Sequence, residues 1–324
     1  MRQMYRIVTY GLRYADFARQ RELFALRDNG DIEIIGELGY DPVDEEIFYC
    51  RKSMQEGLNL PYDKILVCGD SLRPITDSFP ANTWNKTELL DDFVKPYHVE
   101  TERQQVTILR ELVEASDEEI SNRDWLSSRL YRYGFFPFFK LAKNPQAGVH
   151  FSTSGILQVP DEFVDFCLAL SKVKCEKAIE IGVARGGSSY VMAALLYRNN
   201  PNMTYQMVDI ADNLVHFEDA RGIIPSLAKC IPNTSEDFKG QQYDFCFIDA
   251  DHSYEGVMAD WQNVGRYAKM CVFHDIYAHE YDAENGGTVR GWQEIRGEMA
   301  GRQINEYTKY PDKWMGIGVV EHFG

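Results

Sequence analysis

The sequence predicts an α/β protein with two successive regions built on parallel sheets. Three observations carry this expectation. Short β-branched and aromatic runs recur along the chain, helical stretches separate them, and the same alternation appears on both sides of a more polar middle. At roughly 100–200 residues per domain, the 324 residues suit two domains. A small Rossmann-like α/β domain is expected over residues 1–95, a helical and aromatic linker over 96–150, and the larger domain over 151–324.

In the first region Arg6 to Tyr10 is a strand candidate, residues 13–27 carry a helical pattern, and Ile32 to Ile35 and Lys64 to Cys68 are further strands. Gly11 follows the first strand, where nucleotide-binding folds place a glycine loop. The loop continues Leu12-Arg13-Tyr14-Ala15 and lacks the second glycine that lets a pyrophosphate approach. A sheet whose cofactor site is absent or altered fits this better than a nucleotide site.

The middle opens with a polar, acidic helical stretch, Glu100 to Glu119, and ends in an aromatic run from Leu130 to Phe139. That run fits inter-domain packing, the wall of a substrate pocket, or a contact between copies in a homo-oligomer.

From Pro160 the second pattern begins. Asp161 to Leu170 is an amphipathic helix, Lys177 to Ile181 a strand, and Ser188 to Tyr197 a helix. Strands follow at Tyr205 to Asp209 and Tyr243 to Asp249, then a helix over Tyr254 to Tyr267. Met270 to His274 is another strand, and Trp314 to Val320 a late apolar segment.

Composition narrows the function classes. The formal charge is −16, from 34 basic and 50 acidic residues, which disfavours phosphate backbones and anionic membranes as partners. Seven cysteines are scattered without a C-x-x-C pair, and several sit inside apolar runs such as Phe245-Cys246-Phe247. They read as reduced, buried thiols of a cytoplasmic protein rather than a disulfide or zinc framework. No signal peptide or membrane-spanning stretch is legible.

The chemistry gathers in the second region. At Glu180-Ile181-Gly182-Val183-Ala184-Arg185-Gly186-Gly187-Ser188 an apolar strand ends at an acid, turns through glycine, and enters a helix behind two more glycines. Glycines let a ligand lie against bare backbone, and a helix start offers free N–H groups and partial positive charge. The next strand ends at Asp209, where such folds grip ribose hydroxyls. This loop and acid alone do not separate a dinucleotide from other adenosyl cofactors.

Two further strand ends add charged groups. Phe247-Ile248-Asp249-Ala250-Asp251-His252-Ser253-Tyr254-Glu255-Gly256 delivers acids and a histidine, and Phe273-His274-Asp275 delivers another pair. Adjacent strands lie ~4.8 Å apart, so Asp249 and Asp275 are expected to converge. Two close carboxylates need a proton or a cation between them, and hard oxygen ligands suit Mg²⁺ or Mn²⁺. Loop capping or binding of ligand hydroxyls is the alternative use of these acids.

Together these motifs resemble the class I S-adenosylmethionine (SAM)-dependent methyltransferases. Within them they are similar to the small-molecule O-methyltransferases that act on caffeoyl-CoA, catechol, macrolide sugars and antibiotics. The resemblance covers about residues 155–324. It implies a seven-stranded, mostly parallel Rossmann-like sheet, with Glu180, Gly182, Gly186, Gly187 and Ser188 along the methionine part of SAM. It further implies Asp209 at the ribose, Ser235 near the adenine, and Asp249 lining the cofactor site while beginning a metal site completed by His274 and Asp275. The family often has an acid followed by Asn or Asp at that last pair, so His274 is a departure, although histidine also serves as a ligand. His252, three residues after the first metal acid, takes the position of the general base.

The implied reaction is methyl transfer to a hydroxyl of a small molecule, a sugar or sugar-bearing metabolite. An NAD(P)-dependent oxidoreductase, or a non-catalytic binding protein that kept the fold, are the alternatives. Among the remaining histidines, His98, His150, His216 and His322 have no motif context. His279, just past the last acid, is a surface residue or a substrate contact.

Overall fold

The structure is a computed structural model, and it describes residues 4–11, 23, 26–27, 30–38, 51–52, 58–68, 72, 80–135, 155–309 and 315–321. The chain divides into two compact units, the first ending at Glu102 and the second beginning at Arg103.

The first unit holds β1 (Tyr5–Tyr10), β2 (Ile32–Leu38), β3 (Arg51–Lys52), β4 (Lys64–Val67) and β5 (Thr87–Leu89). They form one sheet in the order β3-β2-β1-β4-β5, and every pair is parallel. Ile7 and Leu66 pack on one face with Leu23, Leu26 and Phe93, while Val8, Ile65 and Val67 pack on the other with Leu38. Burial on both faces is why β1 and β4 read as unbroken apolar runs. Gly11, at the end of β1, adopts φ +77°. Most of the expected 13–27 helix lies outside the described residues, but Leu23, Leu26 and Arg27 are helical.

Helix α1 (Leu90–Glu114) contains the division between the units. Its later turns, α2 (Asp117–Ser121) and α3 (Arg123–Tyr133) follow in the second unit. Ser116 caps α2 through a reciprocal pair with Glu119, and Asn122 caps α3 by accepting from Asp124 and Trp125 N–H. Ile108, Leu109, Leu112, Leu126, Leu130, Tyr133 and Phe135 are buried in one core with Phe163 and Phe166. Residues 103–135, expected as part of a linker, thus contribute to the core of the second unit. Of the aromatic run, 136–139 lie outside the described residues.

The second unit is organised by seven strands: β6 (Lys177–Ile181), β7 (Thr204–Val208), β8 (Leu227–Cys230), β9 (Tyr243–Ile248), β10 (Ala268–His274), β11 (Gln303–Tyr307) and β12 (Ile317–Glu321). Their order is β11-β12-β10-β9-β6-β7-β8. Only β12 runs against its neighbours; the other pairs are parallel. This is the seven-stranded, mostly parallel Rossmann-like sheet that the sequence led us to expect. One face packs on α4 (Pro160–Leu170) and α5 (Gly187–Asn199), the other on α7 (Tyr254–Asn263) and α8 (Gly287–Glu298) through Val257, Trp261, Trp292 and Ile295; a short α6 (Phe217–Ile223) follows β7. The pairs Ile181↔Ile248 and Phe273↔Ile248 bring β6, β9 and β10 to a common level at their carboxyl ends. Open α/β sheets bind ligands there.

Candidate active site

The glycine loop leaves β6 at Gly182, which adopts φ +84°. A Cβ on Gly182 would stand 2.2 Å from Asp249 O and 2.6 Å from Ala250 Cα. The glycine is therefore required by the close passage of the β9 exit. The space beside its Cα is filled by the protein's own backbone. Gly186 is left-handed at the N-cap of α5 and offers no side-chain cap. The first-turn N–H groups, where Gly187 is buried and Ser188 half-buried, are thus not met by a capping side chain.

Asp209 follows β7 and fixes this loop. Its Oδ2 accepts from Val183 N–H at 3.1 Å and Ala184 N–H at 3.0 Å, and its Oδ1 from Ala211 N–H at 3.2 Å. The acid expected at a ribose thus holds three backbone donors. Glu180 is fully buried beneath the loop, where Tyr205 Oη donates to its Oε2 at 2.7 Å. Burial pushes its pKa up to about 8, against the hydrogen bond from Tyr205 that lowers it. Ser235 is buried in the turn after β8, with its Oγ accepting from Asn263 Nδ2 of α7 at 3.1 Å. Its hydroxyl is thus engaged within the protein.

Asp249, His252, His274 and Asp275 form one cluster, with ligand atoms all within 4.8 Å of one another. The parallel register sets His274 beside Asp249, and His274 Nδ1 lies 3.1 Å from Asp249 Oδ1. Asp275 has φ +59°, a left-handed conformation that Asp tolerates better than most residues. His252 Nε2 sits 2.8 Å from Asp275 Oδ2 and 3.5 Å from Asp249 Oδ1. The His252 ring stacks on Tyr281 at 4.4 Å with 20° between planes. Thr288 Oγ1 donates to His252 O, and Tyr254 N–H donates to Glu284 O. These bonds tie the loop carrying His252 to the loop carrying Tyr281.

The run from Asp249 to Gly256 also has a local cause. Ser253 Oγ caps α7 by accepting from Gly256 N–H, while Ser253 N–H donates to Asp251 Oδ1. A Cβ at Gly256 would meet the Asp251 side chain at 2.5 Å. Asp251 therefore shapes the turn, and among the described residues it is not part of the cluster.

Burial disfavours charge on both histidines, but the flanking carboxylates outweigh it. His252 is pushed up to about 10 by hydrogen bonds and charge from Asp249 and Asp275, and His274 to about 9 chiefly by the charges of the same two acids. Burial would raise Asp249, yet the histidines hold it below the usual range. The inward Nε2 of His252 is engaged by both acids, at 2.8 Å from Asp275 Oδ2 and 3.5 Å from Asp249 Oδ1. The general-base role expected for His252 does not fit this geometry. Membership of the ligand set fits it better.

The donor set suits a divalent cation. His274 Nε2 is buried without a partner, and Asp275 Oδ1, 3.3 Å from His274 Nδ1, is not aligned for a hydrogen bond. Two carboxylates balance either two imidazolium protons or one dication between neutral imidazoles. Imidazole donors favour a transition-metal ion such as Mn²⁺ over Mg²⁺.

Two residues at the site escaped the sequence reading. Gln158, just before α4, is buried and its Nε2 donates to Asp249 Oδ2 at 3.4 Å. Tyr281 covers His252. Neither stands in a motif, and only the fold brings them to Asp249 and His252. His279 pairs with Asp282 and is exposed. His216 is at the N-cap of α6. His98 has no described side chain, and His150 and His322 lie outside the described residues.

The described cysteines, all but Cys50, are free thiols, and all of them except Cys230 are buried. Among the described residues no helix is long and apolar enough to cross a membrane.

A family model described as a methyltransferase domain matches residues 179–276, from β6 to just beyond β10. Among solved structures, cofactor-bound Rv0187 from MTB aligns with a TM-score of 0.41 at 18% identity, over 66% of this chain and 94% of that one. The O-methyltransferase TomG from Streptomyces achromogenes, in complex with SAM, aligns at 0.37 and 17%, over 52% and 82%. The N-methyltransferase NodS from Bradyrhizobium japonicum aligns at 0.32 and 12%, over 48% and 90%. No curated protein sequence matches the chain.

Proposed function

We propose that this protein is a SAM-dependent methyltransferase that transfers a methyl group to a hydroxyl of a small molecule, a sugar or sugar-bearing metabolite. The observation that carries the reading is the Asp249–His252–His274–Asp275 cluster, set beside a glycine loop inside the segment that matches a methyltransferase domain.

SAM, when bound, supplies an electrophilic methyl group on a sulfonium. The uncapped first turn of α5 and the loop pinned by Asp209 form the bed for it, and the Asp249 carboxylate gives that bed a negative field. A divalent cation, when bound, supplies Lewis acidity that makes a hydroxyl easier to deprotonate. Asp249, His274 and Asp275, with His252 as a fourth donor, would hold it. Their place at the tips of β9 and β10, level with the glycine loop, sets an acceptor oxygen beside the methyl donor, which favours transfer through proximity and alignment. A hydroxyl needs such activation, and this favours oxygen over nitrogen as the acceptor.

The test is thermal unfolding with ligands. A ligand at 100 times its Kd stabilises by ~2.7 kcal/mol, or about 5–11 °C for a domain of this size. SAM and S-adenosylhomocysteine (SAH) should each give such a shift and NADH should not. A shift with NADH and none with SAH would refute the assignment. Radiolabelled methyl transfer from SAM to a panel of sugars and phenols then identifies the acceptor class.

A further inference from the structure

Gln158 is the one buried amide at the tips of β6 and β9, among the described residues, whose oxygen has no partner. Its side chain is 1% exposed, and Oε1 finds no hydrogen-bond donor while Nε2 donates to Asp249 Oδ2. A buried acceptor left unmatched costs about 1–3 kcal/mol, and such groups in folded proteins are few. Rotating the amide offers no relief, because it would set two oxygens, Oε1 and the Asp249 carboxylate, against each other. The orientation is fixed by Asp249, and the cost falls on Oε1.

Asp249 divides its two oxygens between two neighbourhoods. Oδ1 faces His274 and His252 at 3.1 and 3.5 Å, whereas Oδ2 faces Gln158. Gln158 therefore stands on the side away from the histidines and outside the cation cluster. Glu180 projects from the next strand, and Asp249 acts on it through charge. An acceptor oxygen on a side chain bonded to the Asp249 carboxylate favours a donor that carries positive charge.

We propose that Gln158 Oε1 is a ligand-binding group that accepts a hydrogen bond from the ammonium of the methionine part of the bound cofactor. This rests on the reading of the protein as SAM-dependent. Gln158 Nε2 holds Asp249, Oε1 receives the N–H, and the mismatch present in the empty protein is relieved on binding. The amide thus trades stability of the unliganded fold for affinity.

That trade gives the proposal a signature that a purely structural glutamine lacks. Gln158→Met nearly preserves side-chain length and removes the unmatched oxygen. The unliganded variant should melt at or above the wild-type temperature, and its affinity for SAH should fall about tenfold or more, the factor of a hydrogen bond to a charged group. Methylthioadenosine lacks the amino-acid part, so its affinity should not change. A Gln158→Met protein that melts lower and binds SAH as tightly as wild type overturns the proposal. If the variant fails to fold, wild-type protein decides: SAH and its deaminated analogue binding equally would refute the ammonium contact. A wild-type protein blind to SAH instead refutes the cofactor reading itself.

Discussion

Replacing Gly182 by alanine tests the geometry on which the site is built. The residue sits at φ +84°, and its new Cβ would lie 2.2 Å from Asp249 O, 2.5 Å from Asp249 C and 2.6 Å from Ala250 Cα. Two costs add. A left-handed conformation disfavours an L side chain by ~1–2 kcal/mol, and forcing a methyl into filled space costs ~1–3 kcal/mol. The obstacle is backbone, so no side-chain rotation relieves it. The sum, ~2–5 kcal/mol, is a large part of the ~5–15 kcal/mol that holds a domain folded. At ~2–4 °C per kcal/mol, Tm should fall by about 4–20 °C. Gly240→Ala separates the two costs, because Gly240 has φ +75° but nothing within 4 Å of its Cβ position. It should lose only the conformational part, about 2–8 °C. Calorimetric unfolding of both variants without ligand measures the difference. Equal losses in the two proteins would show that Gly182 is not wedged against the β9 exit. Because the obstacle is the backbone of Asp249 itself, Gly182→Ala should also weaken Mn²⁺ binding, while Gly240→Ala should not.

Glu180 should give the folded protein a pH dependence of known sign. Burial raises its pKa to about 8, above the ~4.3 of an unfolded chain. The folded state therefore holds the extra proton between those values, and stability falls as pH rises through that window. Glu180→Gln keeps an acceptor for Tyr205 and removes the titration. Denaturant midpoints should show a stability advantage of the variant that grows from pH 5 to pH 8; a constant difference would mean that Glu180 does not titrate in this way. His252→Ala should lower Mn²⁺ affinity at least tenfold if the ring is a ligand. Unchanged Mn²⁺ affinity with turnover reduced ~10²–10⁴-fold would restore the general-base role.

The amino-acid sequence determined the interior strands and the site they carry. β1, β4, β6, β7, β9 and β10 are buried on both faces, so each reads as an apolar run of strand length. The acids and histidines at 249, 252, 274 and 275 were legible as a converging set, because neighbouring parallel strands must end side by side. The strands that went unread are β3, β5, β8 and β11, the four edges of the two sheets. An edge is paired on one side only and carries polar residues, as in Gln-Ile-Asn-Glu-Tyr of β11, so its hydrophobic signal is weak.

Only the tertiary structure decided what each polar group faces. Local sequence placed Asp209 at a strand tip, but its carboxylate is taken up by the N–H groups of Val183 and Ala184. It suggested a histidine free to accept a proton, but the fold turns His252 Nε2 between two carboxylates. Residues 103–135 read as part of a helical and aromatic linker, and only their meeting with α4 makes them core. Gln158 lies 91 positions from Asp249 along the chain. Periodicity and motif spacing report on a residue's own segment, whereas hydrogen-bond partners and proton affinities depend on groups that folding brings from elsewhere.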